Sequence, residues 1–230
     1  MGPEAGCRFY LRLIRLTPAR HDQEHLPVIL YSQPRIPDRT DSIFNQGPSP
    51  LPQLQEAVRK LQLWGADFIA IPCNTAHCFY SQVQAAVTIP VLHIVKETAA
   101  AVREQFSSQL SPIGLLATQA TLRTGLYQQE MKRIGLLPVL PSAEHRELLQ
   151  HAILSIKVGQ QEEPAHTIQL VMEALSDSGA EALIFGCTEL GLLSSLLNPP
   201  CPVFDSADLL AQATIRLALG EERQPESLPA

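Results

Sequence analysis

Residues 65–75, GADFIAIPCNT, have a close counterpart in residues 179–189, GAEALIFGCTE. Both stretches begin with Gly-Ala-acid, continue through an apolar run, and reach a cysteine eight residues after the glycine. Short continuous apolar runs bounded by turn residues are typical of buried strands in parallel sheets. The repeat, whose two copies stand 114 positions apart, therefore predicts two similar halves that each end a strand at a thiol.

Short apolar runs alternate with longer amphipathic stretches along the rest of the chain, which indicates an α/β fold. Strands are predicted at residues 27–32, 67–72, 90–94, 113–118, 137–141, 182–186 and 202–205. Helices are predicted at residues 4–16, 52–64, 76–86, 96–105, 122–134, 144–157, 164–178 and 207–219. This alternation predicts parallel sheets that are flanked by helices on both faces.

The repeat also predicts the domain organisation, with two similar domains and a site in the cleft between them. Residues 1–96 and 205–230 are assigned to the first domain, and residues 97–204 to the second. The second half opens on a strand, whereas the first opens on loop and helix, so its first strand is missing from the given sequence. Because losing a central strand leaves backbone groups unpaired, we expect an upstream start rather than a natural loss of the strand.

Composition narrows the class of protein. The chain has 230 residues and a net charge of −6 without clustered basic residues, which argues against a nucleic-acid partner. No apolar run approaches the roughly 18 residues of a membrane span, and no signal-peptide pattern is present, so a cytoplasmic location is predicted. The five cysteines are an odd number and lack the paired spacing of zinc sites, so we expect neither a disulfide framework nor a metal.

The two repeated cysteines, Cys73 and Cys187, follow predicted strands and precede predicted helix starts, where Asn74, Thr75 and Thr188 are capping-type residues. Ligand sites of open α/β sheets form at the carboxyl ends of strands. A helix start stabilises negative charge, so we expect thiol pKa values below the usual value of about 8.5. Two such thiols across a cleft suit inversion of a stereocentre, where one removes a proton and the other delivers one. The alternative for each cysteine is inert packing.

Five stretches, taken in order, resemble the cofactor-independent aspartate/glutamate racemases. They are MGPEA (1–5), IPDRT (36–40), PCNTAH (72–77), LLATQATLRTGLY (115–127) and GCTEL (186–190). The resemblance spans essentially the whole chain, and the two cysteine motifs together with IPDRT carry most of its specificity. It implies an amino-acid racemase that needs no cofactor, acts on a small acidic amino acid and forms a homodimer.

The resemblance also implies roles for particular residues. Cys73 and Cys187 become the two acid/base residues, and Arg39 becomes a carboxylate anchor, since a guanidinium pairs bidentately with carboxylates. Lys157 falls where the family often has a lysine that meets the second carboxylate of the substrate. The remaining substrate-binding residues implied are Asn74, Thr75, Thr118, Thr188 and Met1, with Glu189 as a possible assistant of Cys187.

Several of these residues have structural alternatives. Arg39 could form a loop salt bridge with Asp38 or Asp41, Lys157 could be a solvated helix-end lysine, and the polar residues could simply cap helices. His77 is interpreted as helix-face structure, and His93 is left undecided.

Two departures from the family pattern also stand out. The family's first strand with its leading glycines is absent from the given sequence, and Gly6 replaces the usual Thr. GCTEL also separates this chain from the glutamate racemases of wall synthesis, which typically carry His after Gly-Cys-Thr. The leading prediction is an aspartate or glutamate racemase. Alternatives are a hydantoin racemase or diacid isomerase, an inactive protein that binds acidic amino acids, and a redox sensor that forms a Cys73–Cys187 disulfide.

Overall fold

The computed structural model describes residues 2–106 and 110–220, and it has an α/β fold with parallel sheets flanked by helices. The strands are Ile69–Ala70 (β1), Val91–Leu92 (β2), Ser111–Leu116 (β3), Leu136–Val139 (β4), Ala182–Phe185 (β5) and Val203–Asp205 (β6). The α-helices are Pro3–Leu16 (α1), Arg39–Ile43 (α2), Leu51–Leu63 (α3), Tyr80–Gln84 (α4), Ile94–Gln105 (α5), Gln119–Arg123 (α6), Leu126–Arg133 (α7), Ala143–Lys157 (α8), Glu162–Asp177 (α9) and Ser206–Ala218 (α10). Short 3₁₀ helices span Asp22–Glu24, Thr75–Phe79 and Leu190–Leu196.

The second half is built on a parallel sheet with the strand order β4-β3-β5-β6. Side chains of the central strands alternate between two hydrophobic clusters, because successive residues of a strand point to opposite faces. Ile113 and Leu115 of β3 face the cluster formed with α1, α5, α7 and α10. Leu116 and Leu183 face the cluster formed with α8 and α9. Both faces of this sheet are therefore covered, as the continuous apolar strands predict.

The first half contains a smaller parallel sheet in which β1 pairs with β2. Its core joins Ile36, Leu54 and Val58 to Ile69 of β1 and Val91 of β2. The last helix, α10, packs against α1. Arg8 of α1 also forms an ion pair at 3.1 Å with Asp205, the last residue of β6 and the N-cap of α10. The domain boundaries remain a prediction. Across the described ranges, no helix is both long and apolar enough to cross a membrane.

Three predicted elements differ in the structure. Residues 27–32 form no strand, because no neighbouring strand among the described residues accepts their backbone hydrogen bonds. The helix predicted at 122–134 is interrupted at Gly125, whose φ of +69° is left-handed and separates α6 from α7. The helix predicted at 76–86 is a 3₁₀ turn followed by the short helix α4.

Candidate active site

A small pocket lies between the two halves, beyond the carboxyl ends of β1, β3 and β5. Its lining residues are Asp38, Arg39, Thr40, Cys73, Asn74, Thr75, Thr118, Lys157, Cys187, Thr188 and Glu189. Every predicted site residue that the structure describes is in this set, and Met1 lies outside the described residues. Asp38 and Thr40 were not predicted as site residues, although they flank Arg39 in the IPDRT motif. The pocket volume is about 10 Å³, which is room for about one water, so an amino acid requires its walls to separate.

Cys187 is buried and hydrogen-bonded to an acidic neighbour. Its Sγ donates to Glu189 Oε2 at 3.1 Å, and Thr188 Oγ1 lies 3.2 Å from the same oxygen. Burial, and then the negative charge of Glu189, raise the pKa of Cys187 well above its ordinary value. The expectation of a lowered pKa is therefore wrong for Cys187, because desolvation and an adjacent anion outweigh the start of the short 3₁₀ helix Leu190–Leu196.

Cys73 is half-buried at the end of the β1 segment, and a buried histidine holds its backbone. His77 Nδ1 donates to the carbonyl oxygen of Cys73 at 2.9 Å, and His77 Nε2 accepts from the backbone N–H of Ile94 at 3.2 Å. Burial lowers the pKa of His77, which favours the neutral ring that this bonding pattern needs. The His77 ring therefore holds two backbone segments together, which agrees with its interpretation as a structural residue. His93 accepts from the N–H of Lys96 and is not among the residues that line the pocket.

Arg39 is a buried cation with spare hydrogen-bonding capacity. It is 5% exposed, and its Nη1 donates to the carbonyl oxygens of Ile36 at 3.2 Å and Pro37 at 2.9 Å. Its Nε has no hydrogen-bond partner among the described residues. No salt bridge joins Arg39 to Asp38 in the described part of the chain; Asp38 Oδ1 accepts the N–H of Thr40 at 2.7 Å, and its Oδ2 lies near Lys157 Nζ. An unpartnered buried donor beside a pocket is suited to an anionic ligand.

Lys157 supplies a second cation at the same pocket. Its Nζ lies 3.7 Å from Asp38 Oδ2, and its side chain is 23% exposed. Burial lowers the pKa of Lys157, but its electrostatic interactions with Cys187, Glu189, Asp38 and Cys73 outweigh burial and raise it above the ordinary value. Lys157 is thus an ammonium group at the wall of the pocket, and its positive charge opposes the rise in the pKa of Cys187.

Three threonine hydroxyls join the two halves beside the pocket. Thr75 Oγ1 lies 3.0 Å from Thr118 Oγ1 and 3.1 Å from Thr121 Oγ1, and the last two lie 3.0 Å apart. Thr118 also caps α6 by accepting the N–H of Thr121 at 3.2 Å. Sequence reasoning missed Thr121, which is the third residue of α6 behind its cap Thr118.

Asn74 is held by side chains of the second half and of α10. Its Nδ2 donates to Ser206 Oγ at 2.9 Å, and its Oδ1 accepts from the hydroxyl of Tyr127 at 2.6 Å. The capping role considered for Asn74 is wrong, since its side chain caps no helix and both of its polar ends are used in these bonds. Asn74 therefore fixes the position of the loop that carries Cys73.

The pocket can carry out acid/base chemistry on an anion. It combines two thiols, two cations and a buried carboxylate, and all five cysteines of the chain are free. Within the two described ranges, no group of three or more His, Cys, Asp or Glu is arranged to hold a metal ion.

Fold and site together define a two-lobed α/β protein whose acid/base pocket lies between the lobes. The chain belongs to the Asp/Glu/hydantoin racemase family, whose model matches residues 1–214. Members of this family are isomerases that interconvert stereoisomers.

Relatives of known name cover nearly the whole chain. The broad specificity amino-acid racemase RacX of Bacillus subtilis is 29% identical over 220 residues, which are 94% of this chain and 93% of that protein. The aspartate racemase of Picrophilus torridus has a similar structure, with a TM-score of 0.84, 29% identity, and coverage of 94% and 90% of the two chains. An aspartate racemase homologue from Pyrococcus horikoshii matches with a TM-score of 0.73, 25% identity, and coverage of 94% and 95%.

Proposed function

We propose that this protein is a racemase that interconverts L- and D-aspartate, or L- and D-glutamate, by proton transfer between two cysteines without a cofactor. The observation that carries the proposal is the placement of Cys73 and Cys187 in one pocket with Arg39 and Lys157. Two thiols supply an acid and a base, and two cations match the two carboxylates of an acidic amino acid. The proposed functional centre therefore consists of Cys73, Cys187, Arg39 and Lys157.

In the proposed reaction, the Cys73 thiolate takes the α-proton from one face of the substrate. The electron pair of the broken C–H bond delocalises into the α-carboxylate, and the α-carbon becomes planar. The Cys187 thiol then delivers its proton to the opposite face, which leaves Cys73 as a thiol and Cys187 as a thiolate. Reaction of the other enantiomer follows the same steps in reverse. Cys187 is suited to start as the acid, because burial and Glu189 raise its pKa.

The cations and hydroxyls have separate proposed roles. Arg39 anchors the α-carboxylate, whose negative charge grows in the planar intermediate, through the Nε that has no partner among the described residues. Lys157 exchanges its contact with Asp38 for the side-chain carboxylate of the substrate. The wall of the pocket is completed by Asn74 and by the hydroxyls of Thr75, Thr118 and Thr188. Glu189 keeps the proton on Cys187. Met1 is proposed as a further contact on the basis of the family resemblance alone.

Aspartate is the first substrate to test, because two structural relatives are named as an aspartate racemase and its homologue. The relative RacX is named as a broad specificity enzyme, so neutral amino acids belong in the same panel. The pocket holds about 10 Å³ in this structure, so binding is proposed to couple to separation of the two halves. A cytoplasmic homodimer is the proposed setting, and size-exclusion chromatography with light scattering tests the assembly.

The test is a time course of enantiomer formation by chiral chromatography, with L- and D-aspartate, L- and D-glutamate, alanine and a hydantoin. Cys73→Ser and Cys187→Ser are each expected to slow inversion by at least about 10²-fold, since general acid–base groups contribute about 10² to 10⁴. Cys201→Ser, a half-buried cysteine outside the pocket, serves as the matched control and is expected to retain activity. Wild-type rates in either site variant would refute the two-cysteine mechanism. Calorimetric binding of aspartate without inversion would identify a binding protein instead.

A further inference from the structure

An apolar groove of about 770 Å³ lies in the first half, beside β1. Its walls come from α1, α3, β1, α10 and residues 27–32, and include Phe9, Leu13, Val58 and Ile71. An apolar cavity left by truncating one large core side chain is about 150 Å³. The groove is therefore large enough for a segment of polypeptide.

Both long edges of the groove are backbone that lacks a strand partner. On one side, Val28, Ile29 and Leu30 are 40%, 45% and 48% exposed, and residues 27–32 pair with no strand of the described chain. On the other side, β1 bonds to β2 through the N–H of Ile69, which donates to Pro90 O at 2.9 Å. Backbone groups of successive strand residues point to opposite edges, so those of Ala70 face the groove.

The second half has the same arrangement with this position filled. The Ile69-to-Pro90 bond has a counterpart in the second half, where the N–H of Leu183, 114 residues after Ile69, donates to Pro202 O at 2.8 Å. There the other edge of β5 pairs with β3, and β4 lies beyond β3. By this equivalence, β1 corresponds to β5 and β2 corresponds to β6. Residues 27–32 then lie where β4 lies in the second half, and the groove lies where β3 lies.

We propose that the groove binds one extended apolar peptide strand of about six residues, which lies parallel to β1 with its carboxyl end beside Gly2. Six residues span about 20 Å in a strand, and a central parallel strand buries both of its faces. In the second half a helix follows closely on β3, and in the first half α1 begins at Pro3, which lines the groove together with Gly2. A Cβ atom on Gly2 would lie 2.8 Å from Glu189 Oε1, so this end of the groove adjoins the wall of the acid/base pocket.

The probe is a synthetic peptide with the sequence of residues 111–118, SPIGLLAT, extended by lysines for solubility. Trp64 is the single tryptophan, and its ring packs edge-on against Tyr31, which lines the groove, at 5.3 Å between centroids. The peptide is expected to change Trp64 fluorescence saturably and to slow hydrogen exchange of the amides at 28–31 and of the Ala70 amide by at least tenfold. A control peptide with prolines in place of both leucines loses backbone donors and is expected not to bind. The same strand fused ahead of residue 1 is expected to protect the same amides.

Two variants of the protein localise the binding. Ala57→Phe places a ring in the groove and is expected to weaken binding at least tenfold, with the fold checked by circular dichroism. Leu137→Ser, at an exposed apolar residue of β4, is expected to leave binding unchanged. No protection at either edge, equal binding of the proline peptide, or full binding to Ala57→Phe would overturn the proposal. A dimer of the protein in which the same amides are already protected and the peptide does not bind would also overturn the proposal. In that case a second copy of the chain would occupy the groove. None of these results depends on racemase activity.

Discussion

Cys187 donates a hydrogen bond to Glu189 across 3.1 Å inside the pocket that it shares with Cys73. Burial and the adjacent carboxylate both raise the pKa of Cys187. A reaction with two opposed cysteines needs one thiol and one thiolate at the start of each turnover. The contact between Cys187 and Glu189 therefore favours Cys187 as the thiol, and the next two predictions depend on it.

Glu189→Gln is expected to shift the alkaline limb of the pH profile to lower pH. The change removes the negative charge that raises the pKa of Cys187 while leaving its burial in place, so Cys187 loses its proton at lower pH and stops acting as an acid. The measurement is kcat/KM for aspartate across pH 6 to 10, read as apparent values of the coupled pair. Glu163→Gln, on the exposed side of α9, is the control. An unchanged alkaline limb would contradict the assigned role of Glu189.

The stability of the protein is expected to fall as pH rises above the ordinary thiol range. The folded pKa of Cys187 is raised, so between about pH 8.5 and that folded pKa the unfolded chain has lost a proton that the folded chain still holds. The contribution of the Cys187 proton to the free energy of unfolding is fully present below about pH 8.5. Above that pH it is lost at up to about 1.4 kcal/mol per pH unit. Urea unfolding at pH 7 to 10 should show a shallower decline for Cys187→Ala than for wild type. Parallel declines would contradict the burial of a protonated thiol.

Lys157→Met is expected to raise KM for aspartate at least tenfold and to leave KM for alanine nearly unchanged. The ammonium lies at the pocket beside Asp38, and its proposed partner is the side-chain carboxylate, which alanine lacks. Lys157→Arg keeps the charge and is expected to recover part of the affinity. Steady-state kinetics on both substrates provide the measurement, and equal losses for alanine and aspartate would place Lys157 outside substrate recognition.

Thr118→Val is expected to lower the free energy of unfolding by about 1–2 kcal/mol. The substitution keeps the shape of the side chain but removes a helix cap and the hydroxyl contacts to Thr75 and Thr121. Thr167→Val on α9 is the matched control, since the bond that its hydroxyl makes among the described residues goes to Glu163 O of the same helix. Urea unfolding of both variants gives the comparison. Equal effects would indicate that the hydroxyl cluster adds nothing beyond ordinary helix contacts.

The positions of the two cysteines could be predicted from sequence because apolar periodicity marks strand ends, and parallel strands bring those ends to one edge. The IPDRT motif placed Arg39 at the pocket, and the family resemblance placed Lys157 there. Residues 27–32 have the composition of a strand, but strand formation depends on a neighbour that the described chain does not supply. No local pattern contains that information.

The pKa of Cys187 was equally inaccessible from sequence. The motif Cys-Thr-Glu places a carboxylate two residues from the thiol, but only the folded backbone brings Glu189 Oε2 within hydrogen-bonding distance of Sγ. The degree of burial, which is the larger cause of the raised pKa, also depends on tertiary packing. Thr121 was missed because its contact with Thr75 joins segments from the two halves.

The most direct test of the central claim is the position of deuterium during initial turnover of L-aspartate in deuterated water. If Cys73 removes the α-proton and Cys187 delivers another, newly formed D-aspartate carries deuterium while recovered L-aspartate stays largely protiated. Nuclear magnetic resonance after chiral separation reads both pools. Deuterium in both enantiomers at equal rates would point to a single base and contradict the opposed-cysteine mechanism.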